Sequence, residues 1–255
     1  MSEQTDAEIA QRAIACLDLT ELSETCQVAD VERLVARART PFGDVAAVCV
    51  WPRFARLARE LIGADRIRVA TVVNFPYGGE HVAKAVDETQ AARAEGADEI
   101  DMVLPYRAFA EGRADAAARM VDAVRDACGG ATLKVILETG MLREPQLIRR
   151  ASDLAIGEGA DFLKTSTGKV EVNATPDAVM AMLAAIAASG RPVGLKPSGG
   201  IRNLADARTY IELADAAMGE GWARPETFRL GASSLLGALV EALGGETGAK
   251  AAGAY

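Results

Sequence analysis

The sequence predicts an α/β protein folded as one (β/α)8, or TIM, barrel: eight parallel strands closed on themselves and ringed by helices. Three observations carry this reading. Short apolar runs of strand length alternate with helix-patterned segments eight times along the chain. No shift in composition divides the 255 residues, a length at which barrels fold as a single domain. The first run is followed by Thr20-Glu21-Leu22-Ser23, whereas a doubly wound open sheet places a glycine-rich G-x-G-x-x-G turn there.

The elements follow in order. A short N-terminal helix precedes the first run, residues 15–20. The second run, 45–51, is stopped by Pro52; the third, 68–75, by Pro76; the fourth, 99–104, by Pro105. Proline lacks the N–H that a continuing ladder needs. The fifth, 133–138, is closed by Gly140, and the sixth is 162–166. The seventh, 193–196, runs into Pro197 and Gly199-Gly200; the eighth, 228–231, into Ser233-Ser234. Between them the helical period is explicit: Val82, Ala85, Val86, Thr89 and Ala92 fall on one face. Thr175-Pro176-Asp177 reads as an N-cap, a first-turn proline and an early acid, and Asn203 with Asp206 resembles a capping box. The barrel is assigned to residues 1–243. A small-residue tail, 244–255, is expected to be flexible and ends in Tyr255.

Composition narrows the function. The chain is 50% hydrophobic and 25% charged, which is ordinary for a soluble globular protein. A net charge of -8 argues against nonspecific nucleic-acid binding, although a local cluster of lysines can still attract an anionic substrate. The longest apolar run, 178–188, is too short to span a bilayer. Four cysteines without a C-x-x-C pair support neither a zinc site nor a redox dithiol. The first residues lack a basic segment followed by an apolar one, and a reduced cytoplasm is the expected location.

In such a barrel the chemistry lies at the C-terminal ends of the strands. The polar residues near those ends are Asp18, Cys49, Asn74, Asp101, Glu138, Lys164 and Lys196. Within Gly-Ala-Asp-Phe-Leu-Lys-Thr-Ser-Thr-Gly-Lys, 159–169, a short apolar strand carries Lys164 where a buried side chain belongs. Burial favours the neutral amine, which is a nucleophile. A charged Lys196 nearby would push Lys164 further in that direction, and Asp101 could balance charge or relay protons. Lys134, at the start of its strand, reads as a structural ion-pair partner. Three turns, Thr167-Gly168-Lys169, Ser198-Gly199-Gly200 and Gly231-Ala232-Ser233-Ser234, converge after the last three strands and suit a phosphate. His81, the only histidine, reads as a surface or capping residue, Cys49 as a small core residue, and Trp51 and Phe75 as wall or core. On the residues alone, a phosphate-binding aldolase or isomerase and a non-catalytic sugar-phosphate-binding barrel both remain open.

The motif at 159–169 resembles the Schiff-base signature of the deoxyribose-phosphate aldolase family, and the likeness extends over nearly the whole chain. Leu17-Asp18-Leu19-Thr20, 48–54, Asn74-Phe75-Pro76, 96–101, 133–140, 193–202 and 229–234 are similar to successive family motifs in the same order. The resemblance implies a cofactor-free and metal-free class I aldolase. It would cleave 2-deoxy-D-ribose 5-phosphate reversibly to D-glyceraldehyde 3-phosphate and acetaldehyde. It makes Lys164 the Schiff-base former, Lys196 the residue tuning its pKa, and Asp101 the proton carrier. Asp18 and Thr167 would bind substrate hydroxyls or order the relay, and Gly168, Gly199, Gly200, Gly231, Ser233 and Ser234 would hold the phosphate. Some members end in a tyrosine that assists proton transfer, which gives Tyr255 a catalytic expectation. A homo-oligomer is expected, a dimer first. Two departures are visible: Trp51 stands where tyrosine is common, and Val73 where threonine is common.

Overall fold

Alternating apolar runs and helical segments do close into a barrel. The structure, a computed structural model, describes residues 4–245. The strands are β1 (Leu17–Glu21), β2 (Arg39–Thr40), β3 (Gly43–Asp44), β4 (Ala47–Val50), β5 (Arg68–Val73), β6 (Glu99–Val103), β7 (Thr132–Ile136), β8 (Phe162–Lys164), β9 (Gly194–Lys196) and β10 (Leu230–Ala232). Eight of them form one sheet in the order β10-β1-β4-β5-β6-β7-β8-β9, every pairing parallel. Parallel bridges Leu195 to Phe228 and Ser198 to Gly231 join its two ends. β2 and β3 form a small hairpin outside the barrel, too short for a periodic pattern to announce it.

The last strands are shorter than their apolar runs. β9 ends at Lys196 because Pro197 has no N–H to extend the ladder, and β8 ends opposite it at Lys164. The eighth run starts two residues early: Phe228 makes only the bridge to Leu195 before β10 begins at Leu230.

Helix ends follow their local chemistry. Helix Asp6–Ala15 opens with a reciprocal capping box between Thr5 and Glu8. Thr175 accepts the Ala178 N–H at the start of helix Pro176–Ser189, as its sequence requires. Asn203 accepts the Asp206 N–H, but Asp206 returns its bond to the N–H of Arg202, so the box is shifted by one residue. On helix Val82–Ala94, Ala85, Thr89 and Ala92 are buried while Val82 and Val86 sit half-buried at the edge. His81 is exposed at that helix start and its side chain caps nothing. Gly244 and Gly245 hydrogen-bond back to Glu241 and Val240, and the rest of the expected tail, with Tyr255, lies outside the described residues.

The strand period of two sorts each strand between helix-facing and interior positions. In β1, Leu17 and Leu19 join the main apolar core and Asp18 turns inward; in β6, Ile100 and Met102 do so against Glu99 and Asp101. The interior has two halves. Ala47, Cys49, Ala70 and Val72 of β4 and β5 form a small apolar wall with Leu22, against which Trp51 and Phe75 pack edge to face at 5.5 Å. The opposite half is charged. Among the described residues, no helix is long and apolar enough to cross a membrane.

Gly194 in β9 pairs directly with Phe162 in β8, and a Cβ there would lie 2.3 Å from the Phe162 ring. Gly194→Ala therefore overpacks the β8–β9 seam and should cost about 1–3 kcal/mol. Urea unfolding should show a lower midpoint with an unchanged m-value.

Candidate active site

Period-two alternation on β1, β6, β7, β8 and β9, with Arg229 just before β10, aims seven ionisable side chains into the charged half of the barrel. Asp18, Glu99, Asp101, Lys134, Lys164, Lys196 and Arg229 are all buried. Lys164 and Lys196 are register partners across β8 and β9, so their side chains leave the sheet on the same face. Asp101 lies between them. Its Oδ2 accepts from Lys164 Nζ and from Lys196 Nζ, each at 2.8 Å, and its Oδ1 accepts from Lys134 Nζ at 2.9 Å.

Behind this centre the network continues toward the N-terminal end of the barrel. Lys196 also donates to Asp18 at 2.5 Å, and Lys134 to Glu99 at 2.5 Å. Arg229 closes the far end, bonding Asp18 at 2.7 Å and Glu99 at 2.8 Å while its Nε donates to the Pro225 carbonyl. Three carboxylates thus face four cationic side chains. The set is neutral when one of the four is deprotonated, and the contacts select which. Among the described residues, Lys134 has three carboxylates within 4.0 Å and Lys196 two, whereas Lys164 has only Asp101.

The pKa directions agree. Burial lowers the Lys164 amine, Asp101 opposes, Lys196 adds to the lowering, and the net shift is downward. Burial also acts against Lys196, but Asp101 and Asp18 outweigh it and raise its pKa. Lys134 and Arg229 are raised for the same reason. Burial works against an ionised Asp101, yet the three lysines hold it well below the usual carboxylate range. A lysine amine with a lowered pKa beside a carboxylate is the pairing that a nucleophile with a proton carrier in contact requires.

Lys164 opens onto a cavity of about 510 Å³ at the C-terminal mouth of the barrel. Its walls include Thr167, Gly168, Ser198, Gly199, Gly200, Gly231, Ser233 and Ser234, so the three expected turns do converge. Gly199 and Gly200 both have positive φ, +78° and +81°, and a Cβ on Gly199 would meet Asn173 at 2.6 Å. Only glycine allows the chain to turn this tightly at the cavity edge. The last turn feeds the N-terminus of helix Leu235–Ala242, and the Ser234 side chain does not cap it. Glycine turns with hydroxyls at a helix N-terminus favour an anion.

Not every expected residue reaches the cavity. Asp101 and Lys196 stand behind Lys164. Asp18 does not line it either: it is fully buried and both its oxygens are taken by cations. Asp18 thus contacts Lys196 and Arg229 rather than the cavity, a placement that fits the other half of its expectation, ordering the proton relay. Lys134 is an ion-pair partner as expected, but it sits inside the central network rather than at its margin. Tyr255 lies outside the described residues. Sequence reasoning passed over Arg202, which also lines the cavity; a cation directly after Gly199-Gly200-Ile201 was the available signal. Glu99 and Arg229 left no local signal, because their partners are remote in sequence. Cys49 is fully buried and its thiol is pushed up, chiefly by burial. Among the described residues, no group of three or more His, Cys, Asp or Glu side chains is placed to hold a metal ion.

Comparison with known proteins places this site in context. Residues 12–239 match the model of the DeoC/LacD family aldolases. The chain is 52% identical to a deoxyribose-phosphate aldolase of Agrobacterium fabrum (strain C58 / ATCC 33970), over 100% of this chain and 99% of that protein. A Coccidioides immitis protein provisionally assigned the same activity superposes with a TM-score of 0.82 at 31% identity, covering 91% of this chain and 86% of its own. A deoxyribose phosphate aldolase of Aeropyrum pernix, described as a unique tetramer, superposes with a TM-score of 0.70 at 26% identity, over 92% and 91% of the two chains.

The charge arithmetic is measurable without substrate. With lysine side chains labelled at Cε, NMR should find Lys164 titrating below the ordinary lysine range. Lys196→Leu removes a neighbouring positive charge, so the Lys164 pKa should rise and its neutral form should appear only at higher pH. An unchanged Lys164 midpoint would contradict the coupling.

Proposed function

The chain belongs to the DeoC/LacD family of aldolases, and from that premise we propose how its site cleaves 2-deoxy-D-ribose 5-phosphate reversibly to D-glyceraldehyde 3-phosphate and acetaldehyde. The enzyme is a lyase, a class I aldolase. The observation that carries the residue assignment is Lys164: a buried amine with a lowered pKa, held against Asp101, on the wall of the cavity.

Neutral Lys164 attacks the C1 aldehyde of the open-chain sugar, and the carbinolamine loses water to give a protonated imine. A base takes the C3 hydroxyl proton and the C2–C3 bond breaks. Its electron pair moves toward the imine, leaving an enamine on Lys164 and releasing the phosphorylated aldehyde. Protonation at C2 and hydrolysis then free acetaldehyde and restore the amine. Ionised Asp101, bonded to both lysines, is suited to carry these protons through water, a contribution of roughly 10²–10⁴-fold. Lys196 stays charged and keeps Lys164 reactive, with Asp18 fixing Lys196. Gly168, Gly199, Gly200, Gly231, Ser233 and Ser234 are assigned to the phosphate, joined by Arg202, and Thr167 to a substrate hydroxyl. Tyr255 is assigned to proton transfer at the acetaldehyde carbon, on the family resemblance alone.

Two wider properties belong to the same reading. Four buried, unpaired thiols suit a reducing cytoplasm. The tetrameric relative supports a homo-oligomer, whose subunit number light scattering would read directly.

Borohydride in the presence of acetaldehyde should leave a stable ethyl group on Lys164 in peptide maps. An adduct elsewhere, or none, would overturn the assignment. Lys164→Arg should lower release of glyceraldehyde 3-phosphate by at least about 10³-fold in a coupled assay. Sugar phosphates bearing a 2-hydroxyl should be poor substrates for the unmodified enzyme.

A further inference from the structure

Glu138 has no part in the chemistry described so far, yet the fold accepts two costs to keep it. It follows β7 in the left-handed region, φ 56° and ψ 60°, where non-glycine residues are uncommon. Its carboxyl is fully buried, and among the described residues no Lys or Arg makes an ion pair with it. A buried carboxylate without a cation needs strong hydrogen bonds. Glu138 takes both of its bonds from one residue: Oε1 accepts the Thr167 N–H at 3.2 Å and Oε2 accepts the Thr167 hydroxyl at 2.5 Å.

The surroundings make this a rigid link to the cavity. The Leu137 N–H donates to the Lys164 carbonyl and the Thr139 N–H to the Thr165 carbonyl, so residues 137–139 run beside the chain leaving Lys164. The Thr167 hydroxyl oxygen in turn accepts the Lys169 N–H at 3.0 Å. The turn containing Gly168 is thereby tied to β7 through a single carboxylate. The hydroxyl proton of Thr167 is also committed: it points at Glu138. Toward the cavity that oxygen can only accept.

We propose that Glu138 is a positioning residue for substrate recognition, which fixes the Thr167–Gly168 turn and makes Thr167 an acceptor for a hydroxyl of the sugar rather than a donor. This rests on the aldolase reading of the cavity. That reading is tested on the unmodified enzyme, so its failure is distinguishable from failure of the Glu138 proposal.

The test compares Glu138→Gly with the unmodified enzyme. Glycine relieves the left-handed backbone and removes the whole buried side chain with its carboxylate, and a Gln variant separates the loss of the carboxylate from the loss of the side chain. Three rates are measured: cleavage of 2-deoxy-D-ribose 5-phosphate, cleavage of unphosphorylated 2-deoxy-D-ribose, and borohydride trapping of acetaldehyde on Lys164. Acetaldehyde has no hydroxyl for Thr167 to read. Trapping should stay within about twofold, while KM for both sugars rises by at least about tenfold, the scale on which misplaced positioning groups act. Glu138→Gln keeps an oxygen in place for the Thr167 N–H and so restores the turn, but its amide NH2 then faces the Thr167 oxygen and frees the hydroxyl proton. Its KM for both sugars should fall between those of Glu138→Gly and the unmodified enzyme, and a Gln variant with an unchanged KM would overturn the acceptor role. Equal loss of all three activities, or unchanged KM for the sugars, would overturn the proposal, as would a Gln variant no better than Gly. If Glu138→Gly does not fold, Glu138→Asn replaces it, since asparagine tolerates this backbone and is too short to reach Thr167; the same outcomes decide.

Discussion

One carboxylate holds the site together. Asp101 receives three lysine Nζ groups within 2.9 Å, in an interior where an unpaired charge is costly. Deleting it would leave those lysines without their shared partner, a loss of about 3–5 kcal/mol for a broken buried pair. Asp101 is in turn kept ionised only because the lysines surround it. The proposed reactivity rests on an imbalance: three carboxylates face four cationic side chains, and among the described residues Lys164 has the fewest carboxylate partners.

The barrel makes this imbalance possible. Parallel closure brings β1, β6, β7, β8 and β9 to one interior, although Asp18 and Lys196 are 178 residues apart in the chain. The register between β8 and β9 sets the two key lysines side by side. Proline and glycine end β9 just past Lys196, so the chain turns outward at the depth where the amine meets the cavity. At the other end, Arg229 and Glu99 finish the network as a closed set of ion pairs.

Much of this was legible from the residues. Period two, period 3.6 and the proline stops gave the strand order and the barrel. A lysine inside a short apolar strand gave Lys164, because the pattern contradicted the cost of burying charge. The glycine and serine turns after β8, β9 and β10 announced a shared cavity edge by their backbone requirements. What stayed hidden depended on distance through space. The sequence cannot say that Asp18 points at Lys196 rather than at the cavity, because both lie on inward strand positions and only closure decides their depth. Lys134 looked peripheral at its strand start, yet the register with Asp101 carries it to the centre. Glu138 was visible as a strand-end acid, but its backbone conformation and its grip on Thr167 are tertiary facts.

If the imbalance acts as proposed, one amine, Lys164, is uncharged while its two lysine neighbours stay protonated. A neutron structure of the ligand-free protein near neutral pD would count the hydrogens directly. The account predicts two on Lys164 Nζ, three each on Lys134 and Lys196, and none on Asp101. Three on Lys164, or a proton on Asp101, would contradict it.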